Sequence, residues 1–223
     1  MQLGVICGME AEARALGSLR GDPRVSVGIS AARPDRATEM AEEMAGSGVA
    51  ALVSWGIAGG LDPALPSGSL IVPDTVIDSD GAHLPLAGLR PLDRTRESAI
   101  AGSDRIVTTP EDKSVLHRAT GAVAVDMESH RIARVAQAAG IPCLAIRAVS
   151  DTAARSLPPG TASALDARGR PRVFHVILGL ARAPYRLGAL LSAKRDLDTA
   201  LATLSTLGVE LLLEVVDALE ATR

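Results

Sequence analysis

The chain sets short, unbroken apolar runs at intervals through most of its length, and this rhythm restricts the fold more than any other feature. The runs are Leu3 to Cys7, Val25 to Ile29, Val49 to Trp55, Leu70 to Val76, Ala122 to Val125 and Pro142 to Val149. Without polar alternation they read as strands buried on both faces. Between several of them lie segments with helical spacing: Glu10 to Leu16, Asp35 to Ala45, Asp112 to Arg118 and Met127 to Ala139. Strand alternating with helix is satisfied by crossover connections on a parallel sheet. The expected fold is an α/β three-layer sandwich with a mostly parallel, mixed central sheet, formed as one domain over residues 1–223.

Local signals sharpen this outline. Ile132, Val135, Ala136 and Ala139 share one face of a helix that Gly140 stops. Thr109-Pro110-Glu111-Asp112 supplies a hydroxyl cap, a first-turn proline and acids, the grammar of a helix start. From Ser156 to Arg172 the composition turns to Pro, Gly, Ser and Arg, which predicts a long mobile loop over 155–172. A helical C-terminal region is expected over 173–223, with an apolar stretch from Val173 to Leu180 and a break near Pro184. In its closing helix Leu197, Leu201, Leu204, Leu211, Val215 and Leu219 recur at helical intervals. These helices either close the sheet or bind a partner.

Bulk properties exclude several classes. A net charge of −3 offers no concentration of cations for phosphate backbones, and three aromatics, Trp55, Phe174 and Tyr185, cannot form a base-stacking platform. No nucleic-acid partner is expected. Cys7 and Cys143 each sit in an apolar run, so two small buried hydrophobes in a reducing compartment are expected rather than a disulfide. The N-terminus opens directly on a strand-like run without signal-peptide features, and no apolar run approaches the ~20 residues that span a bilayer. A cytoplasmic protein without a transmembrane segment is expected, its apolar C-terminus permitting transient contact with a membrane surface.

Four segments combine polar groups with strand ends, where open α/β sheets take their ligands. In Gly8-Met9-Glu10-Ala11-Glu12, acids open a helix, where they complement its dipole or face a pocket. In Ser54-Trp55-Gly56-Ile57-Ala58-Gly59-Gly60, a strand runs into glycines that form a tight turn or let backbone amides approach a ligand. It has neither the dinucleotide spacing nor the P-loop lysine. In Val125-Asp126-Met127-Glu128-Ser129-His130, Asp126 reads as a helix cap, while Glu128 beside the Met127 thioether suits paired hydroxyls and a sugar face. In Arg147-Ala148-Val149-Ser150-Asp151, the Arg inside an apolar strand requires a carboxylate or an anionic ligand. Asp151 either caps the next turn or faces the site.

In this order the four segments, together with Leu70-Ile71-Val72-Pro73-Asp74, resemble the purine nucleoside phosphorylase and methylthioadenosine/adenosylhomocysteine nucleosidase superfamily. The match covers Leu3 to Thr152. Ser54-Trp55-Gly56-Ile57-Ala58-Gly59-Gly60, Asp126-Met127-Glu128-Ser129-His130 and the apolar C-terminal helices are most similar to the hopanoid-associated phosphorylase subgroup, which removes adenine from adenosylhopane.

The resemblance implies an enzyme that cleaves the N-glycosidic bond of an adenine nucleoside without a cofactor or a metal, with phosphate as co-substrate if it is a phosphorylase. It implies that Asp151, oriented by Ser150, protonates the leaving purine and must carry a proton to do so, a state that burial would favour. Glu12 would activate water, Glu128 bind ribose hydroxyls with Met127 against the sugar, and Ala58 and Gly59 line the base pocket. Arg24, Arg33 and Arg36 are candidates for a phosphate cradle but read as solvated, so Glu12 favours hydrolysis. The family often stacks an aromatic on its ligand, and here only Trp55 is placed for that. Alternative readings are a phosphorylase or nucleosidase for a small purine nucleoside such as methylthioadenosine or inosine, and a nucleoside-binding protein without catalysis. A homodimer is expected from the resemblance.

Overall fold

The computed structural model describes residues 2–86, 98–157 and 187–221. The expected loop over 155–172 and the first part of the helical C-terminal region, with Phe174, Pro184 and Tyr185, lie largely outside the described residues.

The strands are β1 (Leu3–Cys7), β2 (Val25–Ile29), β3 (Ala51–Gly60), β4 (Leu70–Ile71), β5 (Thr75–Ile77), β6 (His83–Pro85), β7 (Ala99–Gly102), β8 (Ala124–Asp126) and β9 (Cys143–Asp151). The helices are α1 (Glu10–Ala15), α2 (Pro34–Gly46), α3 (Pro110–Thr120), α4 (Ser129–Ala139), α5 (Leu187–Thr203) and α6 (Val209–Ala221). A π-helical turn over Leu204–Gly208 joins the last two. The sheet is mixed and mostly parallel, as expected: β1 pairs in parallel with β2 and β3, and β9 with β3, while β3–β8, β4–β9 and β5–β6 are antiparallel.

Alternate residues of the strands feed two helical layers. Val5, Cys7, Val53, Trp55 and Ile146 face a core shared with α1 and the C-terminal helices. Ile6, Leu52, Ala58 and Ala145 face α2 and α4 on the other side. Strand periodicity makes this division unavoidable once both faces are covered. The local grammar also holds at α3, where the Thr109 hydroxyl accepts from the N–H of Asp112 at 3.1 Å and Gly121 closes the helix in the left-handed conformation.

Three expectations need correction. The glycines after Trp55 do not form a tight turn; β3 runs through them to Gly60, because β9 pairs with it as far as Gly59 and β8 takes up Gly59 and Gly60. The single run Leu70 to Val76 is two strands: Pro73, which has no N–H to donate, separates β4, paired with β9, from β5, paired with β6 and β7. Finally, the helical stretch Leu190–Ala221, 32 residues, is by length and composition alone long and apolar enough to cross a bilayer. Ala200, Leu204, Leu211, Leu212, Val215 and Val216 on it are buried in the core beside β1, β3 and β9. The π turn there accommodates Trp55, since a Cβ on Gly208 would stand 2.9 Å from the Trp55 ring.

Candidate active site

Glu12, in the first turn of α1, is buried. Its Oε2 accepts from the N–H of Met9 at 2.7 Å and its Oε1 from the N–H of Ile57 at 2.9 Å. One carboxylate thus caps α1 and fastens it to β3. Burial raises its pKa, opposed by the Arg147 charge and by backbone N–H groups including Ile57 and Met9. Gly56 makes the approach of Glu12 feasible, because an added Cβ would lie 2.5 Å from Glu12 Oε1 and 2.8 Å from Arg147 Nη1.

A second buried carboxylate converges on the same place. Glu128 precedes α4, and a Cβ on Gly8 would stand 2.9 Å from Glu128 Oε1 and 3.3 Å from Glu12 Oε2. Burial pushes the pKa of Glu128 up to about 8, against the Arg147 charge and reinforced by the charges of Asp126 and Glu12. Met127 beside it is half-buried.

Behind these acids lies a closed polar network. Arg147 on β9 donates through Nε to Asp126 Oδ2 and through Nη2 to the hydroxyls of Ser54 and Ser129, the latter at 3.0 Å. Its Nη2 is 3.9 Å from Glu128 Oε2. Asp126 also accepts from the Ser129 N–H at 3.1 Å, so it both starts α4 and neutralises the buried Arg. The required partner of Arg147 is therefore a carboxylate of its own chain.

Asp151 ends β9 at a register shift: Ala58 pairs with Val149 but Gly59 with Asp151, so Ser150 is the extra residue of a bulge. Such a bulge re-aims the side chains beside it. The Ser150 hydroxyl donates to Asp151 Oδ1 at 2.7 Å and lies 3.3 Å from the Ala58 carbonyl. A Cβ on Gly59 would meet Asp151 Oδ2 at 3.5 Å, ordinary contact distance. Asp151 is therefore the last strand residue rather than a turn cap, and its carboxylate lies over Gly59.

Lys113 of α3, which sequence reasoning missed, lies against Asp151. It is fully buried, and its ammonium donates to Asp151 Oδ2, to the Thr152 carbonyl at 2.8 Å and to the Arg155 carbonyl at 3.0 Å. The available signal was its position three residues before Leu116, on the stripe a helix turns inward. Both carboxylate oxygens of Asp151 thus face donors, Oδ1 the Ser150 hydroxyl and Oδ2 the Lys113 ammonium.

Glu12, Glu128, Met127, Ser150, Asp151, Ala58 and Gly59 thus gather around the C-terminal half of β3. Trp55 does not join them as a stacking surface. It is fully buried in the core, and its indole N–H donates to the Glu12 carbonyl at 3.0 Å, so it supports Glu12 from behind. Arg24 and Arg33 also stand apart, taken up by Asp22 and Asp35. Among the described residues no group of His, Cys, Asp or Glu is assembled to hold a metal ion.

The chain superimposes on solved structures over nearly its whole length. A Helicobacter pylori 5'-methylthioadenosine/S-adenosylhomocysteine nucleosidase complex is 20% identical, with 98% of each chain covered and a TM-score of 0.72. The corresponding Neisseria meningitidis nucleosidase, with methylthio-immucillin-A, is 18% identical over 97% of this chain and 99% of that one, with a TM-score of 0.70. A futalosine hydrolase mutant of Helicobacter pylori is 18% identical over 98% of this chain and 100% of that one, with a TM-score of 0.68. These likenesses establish a shared fold. No curated protein matches the chain in sequence. The family model described as the phosphorylase superfamily matches residues 15–97 and 88–170, together more than half of the sequence. The chain belongs to the phosphorylase superfamily.

Proposed function

We propose that this protein hydrolyses the N-glycosidic bond of an adenine nucleoside. The observation that carries the reading is the placing of three buried carboxylates along one strand end. Glu12 is bonded at Ile57, Glu128 converges with it on Gly8, and Asp151 lies over Gly59. Ile57 and Gly59 are only about 7 Å apart along an extended strand, so a nucleoside bound there is within reach of all three.

Bond cleavage leaves positive charge on the ribose and negative charge on the departing base. Asp151, oriented by Ser150, passes a proton to the base, help typically worth about 10²–10⁴-fold. Glu12 takes a proton from water as it attacks the ribose, and its raised pKa brings it closer to the working pH of a general base. Glu128, with a pKa of about 8, holds a proton at neutral pH. It can then donate to a ribose hydroxyl without repelling Glu12. Met127 packs against the sugar, and Ala58 and Gly59 border the base. Water is favoured over phosphate because Arg24 and Arg33 are engaged by carboxylates and Arg147 by Asp126. The nucleosidase and hydrolase names of the similar structures agree with this choice.

The finer reading is release of adenine from adenosylhopane by a cytoplasmic homodimer. Its support is the apolar C-terminal stretch, where Leu191, Leu207 and Leu213 remain exposed at 48%, 44% and 37%. The test is purine base release from adenosylhopane, methylthioadenosine, futalosine and inosine (adenine from the first two, hypoxanthine from the others), each with and without phosphate, and light scattering for the dimer. Adenine release without phosphate is expected. Cleavage of methylthioadenosine but not adenosylhopane would remove the lipid substrate, and strict phosphate dependence would remove hydrolysis.

A further inference from the structure

The Lys113–Asp151 pair bears on the acid of the proposed reaction, and the argument rests on that reading. Lys113 is fully buried on α3, and its three acceptors, Asp151 Oδ2 and the carbonyls of Thr152 and Arg155, match the three protons of an ammonium. A base leaving as an anion requires a proton, while the carboxylate facing it is held in a charge pair.

The same three partners also satisfy the alternative arrangement. If a proton moves from Lys113 Nζ to Asp151 Oδ2, the neutral amine keeps two N–H groups for the carbonyls of Thr152 and Arg155. Its lone pair then accepts from the Asp151 O–H. No buried group loses a partner in either form, and low polarity lessens the advantage of the charged one. We infer that Lys113 is a positioning residue that stores the proton which Asp151 delivers to the leaving base.

The proton count closes. Lys113 first gives a proton to Asp151; as the glycosidic bond breaks, its electron pair goes to the base, which takes that proton from Asp151 and leaves Asp151 ionised. Lys113 is left as the amine, while attacking water gives its proton to Glu12. After product release Glu12 loses that proton and Lys113 regains one from solvent. Other charges around the site are the Arg155 guanidinium, 2.9 Å from Asp196 of α5, and Glu12 of α1, Asp126 of β8, Glu128 at the start of α4 and Arg147 of β9.

The test is the pH dependence of kcat for two substrates of the full-length enzyme: a cleavable adenine nucleoside, and a 4-nitrophenyl riboside whose leaving group departs without protonation. Limbs due to Glu12 and Glu128 appear with both. With wild type, a plateau through neutral pH and an alkaline limb confined to the purine substrate are expected. Lys113→Met should move that limb toward acid and lower purine kcat at neutral pH by about 100-fold, with little change in KM or in nitrophenyl turnover. Lys113→Arg keeps a cation that cannot release its proton and should lose a similar factor. Restoration of wild-type kcat and pH profile by Lys113→Arg would reduce Lys113 to a counter-charge and overturn the inference. Absence of the purine-specific limb in wild type would overturn it too, whether or not the variants fold. A wild-type enzyme that releases no base overturns the nucleosidase reading and this inference together, whereas the other two outcomes leave that reading standing.

Discussion

Glu12 Oε1 and the backbone N–H of Ile57 are joined by a 2.9 Å hydrogen bond that ties the first helix to the strand carrying the site. The other oxygen of the carboxylate caps that helix at Met9. A group proposed to activate water is therefore also part of the frame, and its two roles separate by substitution.

Glu12→Gln keeps the shape and one acceptor oxygen but removes the base. A loss of about 10²–10⁴-fold in kcat is expected, with stability lowered by only about 1–2 kcal/mol for one impaired hydrogen bond. Steady-state kinetics beside urea denaturation checks the split. A kcat within tenfold of wild type would remove Glu12 as the base.

Asp151→Asn should retain adenine binding, measured by calorimetry, while losing turnover by about 10²–10⁴-fold. The amide oxygen can still accept from Lys113, and the amide N–H can donate to the Ser150 hydroxyl, but no proton can be passed onward. Near-normal turnover would show that the donor has been misassigned.

Gly56→Ala places a methyl 2.5 Å from Glu12 Oε1 and 2.8 Å from Arg147 Nη1. Neither neighbour is a loose chain end, since one is bonded to Ile57 and the other to Asp126. Overpacking of this kind costs about 1–3 kcal/mol, and kcat should fall with it as Glu12 is displaced. A stable and fully active variant would contradict the described approach of Glu12 to β3.

Trp55→Phe removes the hydrogen bond to the Glu12 carbonyl and part of a buried ring. Stability should fall by about 1–3 kcal/mol while KM changes little. A tenfold rise in KM without loss of stability would return Trp55 to the ligand.

Folding stability should also depend on pH through Glu128. Its folded pKa, about 8, lies above the ordinary value of 4.5, so the native state binds more protons than the unfolded chain across that interval. The contribution is fully present below the unfolded pKa and is lost as pH rises through the folded one. Glu12 acts in the same direction. Urea denaturation at intervals from about pH 5 to pH 9 should show the decline, and Glu128→Gln should flatten it. A wild-type curve that rises across this interval would contradict the buried placement of Glu128.

The sequence by itself determined the layered α/β plan, because uninterrupted apolar runs such as Leu3–Cys7 and Val25–Ile29 have only a sheet covered on both faces in which to be buried. It also marked the strand ends that bear Glu12, Glu128 and Asp151. What it left open was decided by pairing across the sheet. The glycines after Trp55 became strand because β9 and β8 lie beside them, and Asp151 turned over Gly59 because the register slips at Ser150. Trp55 became core because the π turn at Gly208 leaves room for its ring. Lys113 met Asp151 from 38 positions away, through the packing of α3 against the end of β9. Local spacing can signal an inward-facing lysine, but which carboxylate it meets depends on tertiary packing.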